Sequence, residues 1–200
     1  MFADKPQTLA DPNEQQQRKA MLQTEPAIQE LEEWREEFAK TRTEPVPHFD
    51  PADAGSAARV LFLLDSPGSN TVTAEGLGFV SVDNPDQAAE RCWNERNDAE
   101  LHDGILQWNT VPFFLDGAEP TPVQTIAGVK ALKSVLRLLP RLEVVVLCGT
   151  FTKTQWTKHM GAFTRPTVIK APSPGGKALI SKKNQEDFRK AVRRAKGLVG

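Results

Sequence analysis

RVLFLLDSPG, residues 59–68, reads as a buried strand that runs straight into a proline turn: five apolar residues in succession, then a carboxylate, a serine and a Pro-Gly pair. An unbroken apolar run of this length, closed by turn residues, suits a strand covered on both faces, as in a parallel sheet. TVIKAPSPGG, residues 167–176, repeats the arrangement about a hundred residues later. In an open α/β sheet, ligands bind in the crevice beyond the carboxyl ends of the strands, so both loops can face one site. The first loop brings a carboxylate; in the second, SPGG brings small residues with neither acid nor base.

Between and around these loops, strands alternate with helices. The segment 84–101 reads as a helix, GILQWNTV (104–111) as a strand, and 121–140 as a helix with Pro122 in its first turn. That last helix carries Val123, Ile126, Val129, Leu132, Val135, Leu136 and Leu139 on one side. EVVVLCG is a strand, a short helix lies near 153–159, TVIKA is a strand, and NQEDFRKAVRRAKG is a terminal helix. Such alternation predicts a three-layer α/β/α fold with a mainly parallel central sheet of about four strands. Residues 56–200 form that domain. Residues 1–55 read as an extension: a polar, Gln-rich start expected to be disordered or loosely attached, a helix over 26–40 with a solvated Glu-rich face, and a proline-rich connector over 43–56.

Composition removes several classes of function. At 200 residues the chain supports one core. No apolar run approaches the roughly 20 residues of a membrane span, and the start has no basic-then-apolar signal, so a cytoplasmic protein without a membrane partner is expected. Two cysteines, Cys92 and Cys148, cannot build an iron–sulfur cluster or a disulfide scaffold, and Cys148 inside VVVLCG reads as a small buried hydrophobe. No metal or cofactor is expected. P-loop, dinucleotide and nucleophile-elbow patterns do not occur. The net charge of −1 conceals a polarity: residues 141–200 hold 13 Lys and Arg against 3 Asp and Glu, and residues 1–140 hold 12 against 23. Basic residues gathered in one segment can form a phosphate-attracting face, or simply the solvated outside of the last helix.

Four segments in order resemble the uracil-DNA glycosylase superfamily. LLDSPG is similar to its first motif, closest to the G-E-A-P-G form, which places Asp65 at the acidic position. EGLGFVSV (75–82) is similar to the stretch whose Phe stacks on the extruded uracil, here Phe79. GILQWNTVPFF is similar to the stretch whose Asn pairs with the uracil edge, here Asn109. VVVLCGTFTKTQW followed by TVIKAPSPGG resembles the last segment and its H-P-S-P loop, except that Ala171 stands where the family has His.

The resemblance implies a cofactor-free, monomeric DNA repair glycosylase that hydrolyses the N-glycosidic bond of uracil in single- or double-stranded DNA. Asp65 would be catalytic, with Ser66, Phe79 and Asn109 binding uracil and Ser173, Pro174, Gly175, Gly176 and Lys177 gripping DNA. Leu179 or Ile180 would serve as an apolar wedge or else pack in the core. Gly68 replaces a bulky family residue that blocks 5-substituted pyrimidines, implying a wider base range. A carboxamide offers one donor and one acceptor, which match uracil O4 and N3–H and mismatch cytosine. Plainer roles stand beside these: a turn carboxylate for Asp65, a core aromatic for Phe79, a strand cap for Asn109. With His missing, a non-catalytic binder of uracil or abasic DNA is the alternative, and an unrelated small-molecule-binding α/β domain is the third.

Overall fold

The computed structural model describes residues 2–73, 76–161, 165–175, 178 and 180–200. Its helices are α1 (Pro12–Met21), α2 (Pro26–Ala39), α3 (Gln87–Asp98), α4 (Pro122–Arg137), α5 (Thr150–His159) and α6 (Lys182–Val199). Its strands are β1 (His48–Phe49), β2 (Val60–Leu64), β3 (Val72–Thr73), β4 (Gly76–Leu77), β5 (Phe79–Val80), β6 (Ile105–Asn109), β7 (Val144–Cys148) and β8 (Thr167–Ala171). The central sheet has the order β6-β2-β7-β8, every neighbour parallel. Minor ribbons join β1 with β5 and β3 with β4. This is the expected three-layer α/β/α architecture.

Register explains how the layers separate. Side chains alternate faces along a strand. Leu61, Leu63, Leu106, Trp108, Val145 and Leu147 therefore point together toward α2 and α4. Val60, Phe62, Ile105, Val144 and Val146 point the other way, toward α3 and α6. Truncating one of these fully buried leucines to Ala costs roughly 2–5 kcal/mol. Leu64 pairs with Asn109 and Cys148 with Ala171, so the loops that begin at Asp65, Thr110, Gly149 and Pro172 leave the sheet on one side. Gly128 of α4 lies over that end, where a Cβ would come within 2.8 Å of the Thr110 carbonyl oxygen.

Three expectations about packing are corrected. The start of the chain is folded: Leu9 and Leu22 pack on Phe79, and Arg18, only 6 % exposed, bonds both oxygens of Asp50 (2.6 and 2.7 Å) and one of Asp83 (2.9 Å). Composition concealed this because one buried arginine and two isolated leucines have no apolar period. Burial works against the Arg18 charge, but Asp50 and Asp83 outweigh it and hold the guanidinium pKa above its ordinary value. The Glu-rich side of α2 is not uniformly solvated either, since Glu32 is buried and takes bonds from Arg35, His48 and the Phe49 amide. Along α4, Val129 to Leu139 pack inward as expected, whereas Val123 and Ile126 in its first turns are exposed. The α4 start is held instead by a reciprocal capping box between Thr121 and Gln124. Among the described residues no helix is long and apolar enough to cross a membrane.

Candidate functional site

The two proline loops meet. A pocket of about 500 Å³ lies at the carboxyl end of the sheet, with Asp65, Ser66, Pro67 and Gly68 on one wall and Ser173, Pro174 and Gly175 on the other. The second loop is held against α3: Arg91 donates to the Pro174 carbonyl (3.3 Å), and the Gly175 amide donates to Ser173 Oγ (3.2 Å). Gly175 stands so near Ala88 that an added Cβ would lie 3.4 Å from the Ala88 methyl. Ser81, Asn84 and Asp86 complete a polar rim. Asp86 is already committed as the N-cap of α3, accepting from the amides of Ala88 and Ala89.

Gln107 and Asn109 lie two residues apart on β6 and so project to the same face. Both line this pocket, although they are only 5 % and 1 % exposed. Gln107 Oε1 and Asn109 Nδ2 have no hydrogen-bond partner among the described residues, and they are the only such buried atoms on this pocket's lining. Buried amide atoms left unpaired cost about 1–3 kcal/mol each, a cost a ligand edge can relieve. Together they present one acceptor and one donor. Solvent reaches neither atom in this structure.

Asp65 follows β2, and its backbone carbonyl accepts from the Val111 amide (2.9 Å). Its Oδ1 accepts from the Thr152 amide (3.1 Å) and the Thr152 hydroxyl (2.7 Å). The N-cap of α5 is Gly149, which has no side chain to offer, so Asp65 caps that helix from a neighbouring strand. Gly149 adopts φ +95°, and a Cβ there would approach both Asp65 oxygens to 3.1 Å. Glycine thus supplies both the backbone conformation and the room for the carboxylate. The buried Thr152 hydroxyl also meets Thr110 Oγ1 at 3.0 Å, a short network that fixes the Asp65 rotamer. Asp65 Oδ2 takes no hydrogen bond from a described residue, leaving one oxygen for a water or substrate. Behind Asp65 and Ser66 a second cavity of about 280 Å³ is lined by Pro120 and Phe151 among others.

Of the residues singled out from the sequence, Asp65, Ser66, Asn109, Ser173, Pro174 and Gly175 line one pocket. Phe79 does not: its ring is 2 % exposed, packs with Leu9 and Leu22, and faces a separate cavity beneath the N-terminal segment. That corrects the stacking expectation, because β5 pairs with β1 and turns Phe79 toward the extension. No aromatic ring lines the main pocket among the described residues. Gly176, Lys177 and Leu179 lie outside the described residues, and Ile180 is exposed. Ala171, which the resemblance sets against a histidine, is the fully buried last residue of β8 and does not border the pocket. Sequence reading missed Gln107, whose signal was a polar residue on the same strand face as Asn109. Burial pushes the thiol of Cys92, on the pocket floor, up to about 12, and that of Cys148 well above its ordinary value, so neither is a ready nucleophile. No group of three or more potential metal ligands occurs among the described residues. No protein-family model matches the sequence, and a search of curated proteins finds no significant match.

Proposed function

We propose that the chain is a monofunctional DNA glycosylase that hydrolyses the N-glycosidic bond of uracil and leaves an abasic site. The observation that carries this reading is the pair of unpaired amide atoms, Gln107 Oε1 and Asn109 Nδ2, buried at the base of a pocket whose wall bears Asp65. A base removed from the stack costs a few kcal/mol, recovered by edge pairing in a pocket. Asn109 Nδ2 donates to uracil O4 and an amide oxygen accepts from N3–H. Cytosine reverses both groups and leaves buried polar atoms facing like partners.

Hydrolysis passes through an oxocarbenium-like sugar. Asp65, anchored through Oδ1, holds water through Oδ2 and places negative charge beside the cationic sugar. Water oxygen bonds to C1′ as the C1′–N1 bond breaks; the uracil anion departs with the bonding pair, and the proton lost by the water passes through solvent to that anion. Asn109 stabilises that anion through O4. Developing-charge donors of this kind contribute roughly 2.7–4 kcal/mol each, so the absence of a histidine at Ala171 predicts a slow enzyme.

The experiment is alkali cleavage of a uracil-containing oligonucleotide under single-turnover conditions. Asp65→Asn is the control, because Asn keeps the acceptor that caps α5. Product from the native protein and none from the variant is expected; no product from the native protein over long incubation would sink the enzyme reading. The second reading, a non-catalytic binder of uracil or abasic DNA, draws support from the burial of Ala171 and from the lack of an aromatic ring among the described residues that line the pocket. It predicts retention of uracil-containing DNA without cleavage.

A further inference from the structure

A second, larger cleft of about 770 Å³ adjoins the pocket, and Ser173 lines both. It runs between the start of α5, the edge strand β8 and the side of α6 that carries Asp187, Lys190, Ala191 and Arg194. Lys153 enters it from α5, Lys170 from β8, and Lys190 and Arg194 from α6; the only carboxylate on its lining among the described residues is Asp187. Lys153, Lys170 and Arg194 form no ion pair with a described residue, and Lys190 has only a 3.7 Å contact with Glu186. Four cations from three elements, gathered around one concavity and largely unneutralised, repel one another. An anion relieves that repulsion. A single phosphate would fill little of the cleft, and its concave shape does not suit a flat lipid surface. Its continuity with the pocket at Ser173 fits a chain of phosphates whose attached base enters next door.

We infer that this cleft binds the phosphodiester backbone of the nucleic-acid strand flanking the base in the pocket, through Lys153, Lys170, Lys190 and Arg194. The assignment rests on reading the neighbouring pocket as a base site. Phosphate contacts position a strand while carrying no sequence information. The cleft therefore supplies affinity and register, and Gln107 and Asn109 supply the choice of base. This accounts for the accumulation of basic residues after position 140: part of that charge converges on one groove.

The test is fluorescence anisotropy with a labelled single-stranded oligonucleotide that contains no uracil, titrated with salt. Each phosphate neutralised on a single strand contributes about −0.7 to the slope of log K against log salt. Four contacts therefore give roughly −2.8, or about 50-fold weaker binding between 50 and 200 mM salt. Lys153→Gln, Lys170→Gln, Lys190→Gln and Arg194→Gln, combined, should remove most of that slope while circular dichroism stays native. The charge-matched combination Lys130→Gln, Lys133→Gln, Arg137→Gln and Arg141→Gln, on α4 and just beyond, should change it by less than one contact's worth. An unchanged slope in the folded cleft variant, or equal losses in both variants, overturns the assignment. So does inorganic phosphate competing mole for mole with the oligonucleotide, which marks a free-phosphate site. Because the probe lacks uracil, failure here leaves the excision assay standing, and failure of excision leaves this slope to be measured.

Discussion

Replacing Asn109 by Val separates a functional amide from a structural one. In the folded protein Asn109 is 1 % exposed and its Nδ2 has no partner. A buried donor without an acceptor costs about 1–3 kcal/mol, a cost the unfolded chain does not bear. Val removes that penalty, suits the end of a strand through its branched Cβ, and borders a pocket with room for it. The variant should therefore gain stability, by up to about 1–3 kcal/mol. At roughly 2–4 °C per kcal/mol for a domain of this size, that is a rise of several degrees in Tm. Uracil, in contrast, loses a partner at O4 and, where the same amide serves N3–H, at both positions. With Gln107 Oε1 keeping N3–H, one lost bond at about 1–3 kcal/mol corresponds to a loss on the order of 5-fold to 150-fold in single-turnover excision, and two lost bonds to about 30-fold to 10⁴-fold. Thermal unfolding followed by circular dichroism reads the first quantity and alkali cleavage the second. A fall in stability of more than about 1 kcal/mol would show that the amide supports the fold. Higher stability with unchanged excision would show that it does not touch the base. Either result refutes the site.

Arg18→Met leaves Asp50 and Asp83 buried without their cation and should cost about 3–5 kcal/mol in denaturant titration, with new protease sensitivity before residue 25. Burial pushes the Asp53 carboxyl up to about 7 and also raises that of Asp83. An acid whose folded pKa is raised favours the folded state at low pH. Stability should therefore fall as pH climbs from about 3.8 to about 7, by an amount on the order of a few kcal/mol, and Asp53→Asn should flatten that window in chemical-denaturation curves. Gly149→Ala pushes a methyl to 3.1 Å from both Asp65 oxygens at φ +95°. The backbone alone costs about 1–2 kcal/mol, and excision should drop tenfold or more as Asp65 is displaced. A Cβ at Gly68 meets nothing within 4 Å, so Gly68→Tyr should fold, keep uracil excision, and abolish any excision of 5-substituted uracils, measured side by side on matched oligonucleotides.

The sheet was legible because its evidence is local. VLFLL, ILQWN, VVVLC and TVIKA each carry their own apolar run and end on turn residues, and β2, β6, β7 and β8 fall on those runs. The shared pocket was legible for the same reason, since parallel strands deliver their carboxyl-end loops to one side whatever the side chains are. What was hidden is nonlocal. Arg18 finds Asp50 and Asp83 across 32 and 65 residues, and nothing in a polar Gln-rich stretch announces a buried arginine. Phe79 shows the opposite error. A phenylalanine in the right order along the chain was given a face by resemblance, yet the pairing of β5 with β1 and the docking of Leu9 and Leu22 decide where its ring points.

The asymmetry between the two proline loops has a physical origin in what each strand end must support. Asp65 serves two roles at once: Oδ1 caps α5 through Thr152, and Oδ2 is left toward the pocket. A carboxylate held by a helix start is fixed at the carboxyl end of the sheet, which on the glycosylase proposal suits electrostatic support of a sugar cation. Ala171 closes β8 inside the core, its carbonyl taken by the Gly149 amide at 3.1 Å. Its side chain packs in the core shared with Phe188 and Val192 of α6, so an imidazole there would have to enter that core. The fold thus couples the two loops through Gly149: the conformation that seats the Asp65 carboxylate also ties down the strand end where a histidine would have to stand. On the glycosylase proposal, leaving-group stabilisation would then fall to the β6 amides, Gln107 and Asn109.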